Sequence, residues 1–376
     1  MDLIETIKDL IQFKTITGNQ TEIENCLEYI KAKASSFGAN VNIHHFKNAS
    51  PVILAANTQE LNFDVLVLGH IDVVPATDDM FTPIIKDKKM YGRGTLDMKS
   101  FAAIALNSLK YVLDNNLKLN FAFLLSTDEE TGSKSTKAFL EKFPNIKAKI
   151  VLDNDVGGDI SKIVARCKNP VFVKLKSEGQ AAHGSTPWDG IDANENLFKV
   201  WQNIRTIYPY FSLNLPSPDD KWIDTVHFAK INGGEVSNVI AVNSEALLDF
   251  RLTEKTSIDD LKSNLDKCLV NGVSYEIVSS STPVIMDEAN VYIQQYKQLA
   301  QNILQRPVEF EYIGGATDSR EFAIRKSIVI MHSGSGNGMH APNEYVEIES
   351  IEQVAKIQLS FLSSLAELKN KNLLDN

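Results

Sequence analysis

Short apolar runs alternate along this chain with stretches whose apolar residues recur every three or four positions. This alternation is typical of βα units that build a mostly parallel sheet flanked by helices. We therefore predict an α/β fold with such a sheet as its central layer. The runs that matter most for function are Asp64–Leu68, Phe121–Leu125, Ile150–Leu152 and Ile328–Met331.

Each of these four runs is followed by a polar or glycine-rich stretch that contains histidine or acidic residues. Open α/β sheets bind ligands in the crevice outside the carboxyl ends of their strands. We therefore expect the side chains that follow the four runs to converge on one crevice.

The middle of the chain has a different pattern. Its strand-like runs VFVKLK, TVHFAKI, ALLDFRL and SYEIVS alternate apolar and polar positions, which predicts an antiparallel sheet with one solvent-exposed face. Two helical stretches, Ala193–Tyr208 and Ser257–Val270, lie between these runs. We predict a smaller α+β domain at residues 171–283, inserted into a discontinuous catalytic domain formed by residues 1–170 and 284–376.

Composition and charge narrow the class of partner. The 376 residues include 38 Lys and Arg against 48 Asp and Glu, a formal net charge of −10. This acidic balance argues against binding to nucleic acid or to an anionic membrane. The chain begins with an amphipathic helix pattern instead of a signal peptide and has no apolar run of about 18 residues, so we expect a cytoplasmic protein. The three cysteines, Cys26, Cys167 and Cys268, are widely spaced, which favours reduced structural thiols.

Two histidines and two acids follow the strand-like runs at spacings that suit a metal ion. His70 and Asp72 are two positions apart, so the imidazole can bind a metal while the carboxylate accepts the other ring N–H. Asp97 follows the glycines of GRGTLD before a helix predicted to begin near Ser100, which is typical of a helix cap or a ligand. His340 ends the glycine-rich loop after the fourth run and supplies a second imidazole.

Pairs of acids follow the second and third runs. Glu129 and Glu130 repel each other beside a buried strand unless a cation lies nearby, and a metal ion would bind one while the other stays free as a base. After the third run, either Asp153 or Asp155 is a further candidate oxygen ligand. Each of these signals is weak alone, and it is their joint position at strand ends that predicts a metal site.

Seven motifs occur in a fixed order over most of the chain. They are GHIDVVP (Gly69–Pro75), YGRGTLDMKS (Tyr91–Ser100), STDEETGS (Ser126–Ser133), GQAAHGSTP (Gly179–Pro187), GGEVSNVIA (Gly233–Ala241), GGATDSREF (Gly314–Phe322) and MHAPNEYV (Met339–Val346). With these motifs the chain resembles the co-catalytic zinc exopeptidases and deacylases. That family includes aminoacylase, glutamate carboxypeptidase, acetylornithine deacetylase, succinyl-diaminopimelate desuccinylase and carnosinase-like dipeptidases.

The resemblance implies a site for two divalent metal ions, zinc first and cobalt or manganese as alternatives. In that family pattern His70 binds one ion and His340 the other, and Asp97 bridges the two. Glu130 binds the ion that His340 also binds.

The resemblance also implies that Glu129 is the general base and that Asp72 supports His70. The remaining ligand falls in the LDND loop, where many relatives have Glu followed by Pro-Thr. We favour Asp155 over Asp153 from its distance past the start of the strand.

In the inserted domain, the resemblance implies that His183 stabilises the oxyanion. It places Asn238 and Arg251 at positions that hold the carboxylate end of the substrate. A homodimer formed through this domain is a further implication.

We therefore expect a hydrolase that cleaves the amide bond of a small peptide or an N-acyl amino acid with hydroxide generated between two metal ions. An acetylornithine deacetylase or a succinyl-diaminopimelate desuccinylase is an alternative, although the segment after Pro75 lacks the Trp and the Pro-Phe pair that we associate with those enzymes. An alternative of another class is a metal-binding scaffold without activity. The presence of Glu129 beside every ligand type argues against that scaffold.

Overall fold

The computed structural model describes residues 1–209 and 221–374. Their contacts divide them into two compact units. The larger unit comprises the described residues of Met1–Ala165, Met286–Glu311 and Thr317–Asn376, and the smaller unit comprises those of Arg166–Ile285 and Tyr312–Ala316.

The described residues form helices and strands that we number in chain order. Helices α1 to α9 lie at Leu3–Gln12, Gln20–Ser36, Lys99–Asp114, Lys134–Lys142, Ala193–Ile207, Ile258–Cys268, Val291–Leu304, Arg320–Ala323 and Ile348–Asn370. Strands β1 to β17 lie at Asn40–His44, Val52–Ala56, Asn62–His70, Ile84–Lys86, Lys89–Tyr91, Phe121–Ser126, Lys147–Asp153, Lys162–Cys167, Asn169–Glu178, Thr225–Gly233, Asn243–Leu252, Val273–Ser280, Val284–Ile285, Glu309–Ile313, Ile328–His332, Gly336–Asn337 and Tyr345–Glu347.

The four predicted parallel strands form the centre of a large sheet. They are β3, β6, β7 and β15, which lie in the order β6-β3-β7-β15 and pair in parallel throughout. On one side β2 and β1 extend the sheet with antiparallel pairing, and on the other side β8 runs antiparallel to β15. The predicted α/β class with a mostly parallel central sheet is confirmed. The pattern of apolar runs did not predict the antiparallel strands at its sides.

The register of this sheet decides which side chains meet at its carboxyl edge. His70 lies opposite Ser126, while Asp153 lies opposite Leu68 on one side and Met331 on the other. The ends of neighbouring strands are therefore level with one another. As a result, the loops that follow β3, β6 and β7 leave the sheet from one edge.

Close packing holds this edge of the sheet in place. Strands β2 and β6 are buried along their whole length, as strands covered on both faces are. Helices α3 and α9 share the same core, in which Phe101 and Leu109 of α3 and Ile357 and Phe361 of α9 are fully buried. Interiors packed in this way resist displacement, so side chains at the strand ends are held in place.

A second, smaller sheet in the larger unit joins two segments that are distant in sequence. It has the order β16-β17-β5-β4 and is antiparallel. Tyr345 of β17 pairs with Tyr91 of β5, and their ring centroids lie 5.3 Å apart. The loops that carry Asp97 and His340, 243 residues apart, therefore start from paired strands.

The smaller unit contains the antiparallel sheet and the two helices predicted for the middle of the chain. The sheet has the order β10-β11-β9-β12, and α5 and α6 share one core with it. Alternate residues of β9 are buried, as the apolar–polar alternation predicts. Helix α6 begins one residue later than predicted because Ser257 is its N-cap and forms a capping box with Asp260.

All three cysteines are buried and none of them forms a disulfide, in agreement with the structural role expected for them. Burial raises the pKa of Cys26 to about 12. Among the described residues, no helix is both long enough and apolar enough to cross a membrane.

His332, at the end of β15, is a buried imidazole with two partners. Its Nε2 lies 2.7 Å from the carbonyl of Ile160, which can only accept, so Nε2 carries the proton and Nδ1 accepts from the Tyr296 hydroxyl at 3.1 Å. Burial lowers the pKa of His332 from 6.5 to about 4. The folded chain therefore binds fewer protons at this residue than the unfolded chain between these pH values.

We predict that His332 makes the free energy of unfolding fall as the pH drops from 6.5 toward 4. The slope from this one group is at most about 1.4 kcal/mol per pH unit. Urea unfolding of the wild type and of His332→Gln at about pH 7.5 and about pH 5 measures this contribution. A difference in stability between the two proteins that does not change with pH would contradict the prediction.

Candidate metal centre

The carboxyl edge of the central sheet brings together the side chains predicted to bind metal. His70 is the last residue of β3, and Asp155 lies two residues beyond β7. Glu130 lies in a short 3-10 helix, Glu129–Thr131, that follows β6. Asp97 lies just before α3, and its peptide bond to Met98 is cis.

Three of these side chains form a first group, which we call subsite 1: His70, Asp97 and Asp155. Nε2 of His70 lies 3.0 Å from Oδ1 of Asp97 and 3.8 Å from Oδ2 of Asp155. One ligand atom from each residue lies within 4.8 Å of the other two. The side chain of His70 is only 1% exposed, so this subsite is buried.

A second group, which we call subsite 2, contains Asp97, Glu130 and His340. Nε2 of His340 lies 2.9 Å from Oδ2 of Asp97 and 3.1 Å from Oε2 of Glu130. Asp97 thus directs Oδ1 toward subsite 1 and Oδ2 toward subsite 2. A carboxylate that contributes one oxygen to each of two adjacent groups is arranged as a bridging ligand.

The charges of the two subsites fit divalent cations. Burial and the neighbouring Asp97 raise the pKa of Glu130 to about 7, and the same two causes raise that of Asp155 well above its usual value. Within residues 1–209 and 221–374, Oε1 of Glu130 is buried and has no hydrogen-bond partner. Carboxylates that are crowded together and left short of donors need positive charge, and metal ions supply it.

Asp97 differs from the other acids of the centre. Burial acts to raise its pKa, but hydrogen bonds with His340 and then with His70 outweigh burial, so the pKa of Asp97 lies below its usual value. Asp97 is therefore the anionic centre of both subsites. This agrees with a bridging position, because a ligand must be deprotonated to bind a metal ion.

The two aspartates of the LDND loop have different environments. Asp155 lies in subsite 1, whereas Asp153 lies in neither subsite of the described chain. Oδ1 of Asp153 accepts the backbone N–H of Asp155 at 2.9 Å, and Thr317 and Ser319 also hydrogen-bond to this carboxyl. The geometry therefore favours Asp155 as the ligand and Asp153 as the residue that shapes its turn.

Asp72 connects three parts of the centre. Nδ1 of His70 lies 3.0 Å from the backbone carbonyl of Asp72, to which it can donate, and 3.4 Å from its Oδ1. Oδ1 accepts the backbone N–H of Glu129 at 3.1 Å, and Oδ2 accepts the backbone N–H of Glu130 at 3.2 Å and the hydroxyl of Thr17 at 2.8 Å. One fully buried aspartate thus orients a histidine, mainly through its carbonyl, and its carboxylate holds the turn that carries both glutamates.

Glu129 lies beside the two subsites but in neither of them. Burial raises its pKa to about 8, against the lowering effect of His70, and Asp318 adds to the increase. A glutamate held near such a centre with its pKa close to neutral is suited to accept and return a proton.

Sequence reasoning missed two residues that shape this centre. Thr17 hydrogen-bonds to Asp72, and Glu344, four residues after His340, accepts hydrogen bonds from the loop of Asp97. Nothing in the local pattern around Thr17 indicated its role. For Glu344, a signal was present, because it lies within MHAPNEYV, one of the seven motifs of the sequence.

The three remaining predicted residues, His183, Asn238 and Arg251, lie in the smaller unit. His183 is exposed and forms an isolated antiparallel bridge with Val239. Asn238 is the residue before Val239, so its backbone lies close to that of His183. Arg251 is on β11, and its guanidinium group pairs with Asp249 through two hydrogen bonds of 2.9 and 3.1 Å. The structure therefore brings His183 and Asn238 together and gives Arg251 a different partner.

The sequence profile of the family described as "Peptidase family M20/M25/M40" matches residues 66–364. This range contains both histidines and all three acids of the subsites, and Glu129.

Individual relatives extend over most of the chain. An uncharacterised metallohydrolase of Methanocaldococcus jannaschii is 25% identical over 95% of this chain and 98% of its own length. The acetylornithine deacetylase of Shigella sonnei is 27% identical over 78% of each chain. Among solved structures, a tripeptidase from Staphylococcus aureus subsp. aureus Mu50 superposes with a TM-score of 0.79 over 97% of this chain and 98% of its own, at 19% identity. At this low identity, the similarity to the tripeptidase shows the fold alone.

We predict that a chelator such as EDTA lowers the melting temperature of the purified protein and that added Zn²⁺ restores it. A metal ion that binds only the folded chain stabilises it by about 2.7 kcal/mol when its concentration is about 100 times Kd. Thermal unfolding with and without Zn²⁺ measures the shift.

The variant Asp97→Asn is the matched control, because it keeps the shape of the side chain but removes the charge shared by both subsites. Its Zn²⁺-dependent shift should be much smaller than that of the wild type. An equal shift in both proteins would show that the ions bind elsewhere.

Proposed function

The chain belongs to peptidase family M20/M25/M40, and we propose that it hydrolyses the amide bond of a small peptide or an N-acyl amino acid. Membership of the family establishes a hydrolase of peptide or amide bonds, and the proposal concerns the substrate and the residues. The observation that carries it is the pair of subsites that share Asp97, with Glu129 beside both.

In this proposal two divalent ions, most simply zinc, are bound by His70, Asp97 and Asp155 in subsite 1 and by Asp97, Glu130 and His340 in subsite 2. His and carboxylate ligands without thiolate suit Zn²⁺, and also Co²⁺ or Mn²⁺. When bound, such a pair of ions supplies a nucleophile at neutral pH by lowering the pKa of water and also polarises the amide carbonyl.

Glu129 is the general base and then the general acid of this proposal. Its carboxylate accepts a proton from the attacking water as the water oxygen bonds to the amide carbon; the C–N bond then breaks, and the same proton passes to the leaving amine. The protons balance because Glu129 is a carboxylate at the start of the cycle and again at its end. Asp72 supports this role, since it fixes the backbone N–H groups of Glu129 and Glu130 and therefore the direction of both side chains.

His183 is proposed to stabilise the oxyanion. The backbone N–H of Ser185 lies 3.1 Å from Nδ1 of His183, so Nδ1 accepts this hydrogen bond and the proton of the neutral ring is on Nε2. A ring N–H of this kind is a suitable donor to a developing oxyanion.

Asn238 and Arg251 are proposed to hold the carboxylate end of the substrate. Of the two, Asn238 is the stronger candidate, because Asp249 already occupies the guanidinium group of Arg251. An arginine paired in this way gives less charge to a substrate carboxylate.

The predicted inserted domain at residues 171–283 is proposed to form a homodimer. Its edge strand β10 is mostly exposed along its second half, and Ile231 on that strand and Phe198 on α5 are 49% and 50% exposed. Exposed apolar side chains beside an open sheet edge favour pairing with a second copy. A solution mass near twice 41.8 kDa is the expected result, and a monomer would contradict it.

Two other functions compete with this one. The similarity to an acetylornithine deacetylase favours removal of an acyl group from an amino acid in biosynthesis, as an acetylornithine deacetylase or a succinyl-diaminopimelate desuccinylase does. A panel of N-acetyl and N-succinyl amino acids and dipeptides, with release of free amine as the readout, distinguishes these classes. A metal-binding scaffold would release no amine from any of them while still binding metal.

We predict that Glu129→Gln lowers kcat by at least about 10²-fold, because the variant keeps the shape of the side chain but cannot accept a proton. Its metal content should stay near two ions per chain, since Glu129 lies in neither subsite. Steady-state kinetics and elemental analysis on the same preparation measure both quantities.

The matched control is Glu141→Gln, the same change on the exposed side of α4. It should behave as the wild type in both measurements. Turnover by Glu129→Gln at the wild-type rate would contradict the assignment of the base.

A further inference from the structure

Glu344 is a fully buried carboxylate that lies outside the proposed ligand set. It accepts hydrogen bonds from three backbone N–H groups of the loop that carries Asp97. Oε1 lies 2.8 Å from the N–H nitrogen of Leu96 and 3.1 Å from that of Asp97 itself. The nitrogen of Gly94 lies 3.0 Å from Oε1 and 3.1 Å from Oε2.

Arg93 provides the opposite charge. Its Nη1 donates to Oε2 of Glu344 in a buried ion pair, and its Nη2 donates to the carbonyl of Ala341 at 3.3 Å. One arginine therefore contacts both ends of the 341–344 segment. This segment follows His340 directly, so the ion pair joins the Asp97 loop to the His340 loop.

The backbone of the Asp97 loop is shaped to surround this carboxylate. Gly94 has a φ of +87°, a conformation that favours glycine, and a Cβ there would lie 2.9 Å from the side chain of Lys99. This turn directs neighbouring backbone N–H groups toward the same carboxylate, which creates a small anion-binding site. A buried N–H without an acceptor is costly, so Glu344 is needed to satisfy this loop.

The His340 loop depends on the same contacts. His340 has a φ of +60°, which is uncommon for a residue other than glycine. Its side chain is 51% exposed and therefore has little packing of its own to orient it. Ala341 and Glu344, which follow His340 in the chain, are held by Arg93 and thereby keep this backbone conformation close to Asp97.

We propose that Glu344 is a positioning residue that sets the distance between Asp97 and His340 and thereby the metal affinity of subsite 2. This inference rests on the proposed two-metal function. Subsite 1 shares only the Asp97 loop with Glu344, whereas subsite 2 takes one ligand from each of the two loops that Glu344 joins. Loss of the carboxylate therefore weakens subsite 2 more than subsite 1.

The charge of Glu344 matters as much as its shape. Glutamine in its place keeps one acceptor oxygen for Leu96 and Asp97, but its NH₂ group faces Arg93 and Gly94, which are donors. Glu344→Gln therefore breaks the link between the loops with a minimal change in volume.

The test is a titration of the metal-free protein with Zn²⁺ in competition with a chelating dye, which gives the affinities of both subsites. We expect Glu344→Gln to weaken one of the two ions by about 10- to 100-fold, the range seen when partners of metal ligands are lost. The other ion should change several-fold less. A purely structural role would instead lower the melting temperature of the metal-free protein and leave the ratio of the two affinities unchanged.

The control is Glu347→Gln, the same change three residues later on an exposed side chain, which should match the wild type. Arg93→Lys is a second variant for the case that Glu344→Gln does not fold. It keeps the positive charge but loses the second contact to Ala341, and we expect a smaller weakening of the same ion.

The outcomes separate the two proposals. A wild-type protein that binds no Zn²⁺ would overturn the two-metal function and this inference with it. A wild type that binds two ions, together with a folded Glu344→Gln or Arg93→Lys variant of unchanged affinities, would overturn the role of Glu344 alone.

Discussion

Repulsion between buried carboxylates is the constraint on which this centre depends. Asp97, Glu129, Glu130 and Asp155 lie at one edge of a packed sheet, where burial and their mutual charge raise the pKa of all except Asp97. Such a cluster is unfavourable in a folded chain unless cations or donors offset it. The two histidines of the subsites offset part of it through Asp97. Divalent ions in both subsites would offset the rest, and their binding would then be coupled to folding.

Two buried acids outside the subsites orient the segments that carry the candidate ligands. Asp72 and Glu344 are each fully buried, and each accepts backbone N–H groups from a segment that carries ligands. They act on different segments: Asp72 on the turn of Glu129 and Glu130, and Glu344 on the loop of Asp97. Backbone contacts of this kind set the position of a whole segment, whereas a contact to one side chain would set only its rotamer. The central sheet supplies the fixed edge at which β3, β6 and β7 end, next to His70, the turn of Glu129 and Glu130, and the loop of Asp155.

Much of this arrangement could be predicted from the sequence because it follows from local pattern. Apolar runs of strand length predicted β3, β6, β7 and β15, and the alternation of the middle segment predicted the antiparallel sheet of the smaller unit. The side chains just after those runs were identified because parallel strands end together. The small sheet that joins the Asp97 and His340 loops was not predicted, since its strands are short and pair across a long separation in sequence. Thr17 and Glu344 were missed for a similar reason: their partners are 55 and 247 residues away. The sequence already favoured Asp155 over Asp153 as the candidate ligand, and the fold adds that Asp155 lies in subsite 1 while Asp153 accepts its backbone N–H.

The most direct test of the account is an anomalous diffraction experiment on crystals grown with Zn²⁺, with data on both sides of the zinc absorption edge. The account predicts two peaks about 3.5–4 Å apart. One should be bounded by His70, Asp97 and Asp155, and the other by Asp97, Glu130 and His340, with an oxygen of Asp97 facing each peak. A single peak, or two peaks of which neither lies next to Asp97, would contradict the central claim that this aspartate joins two metal subsites.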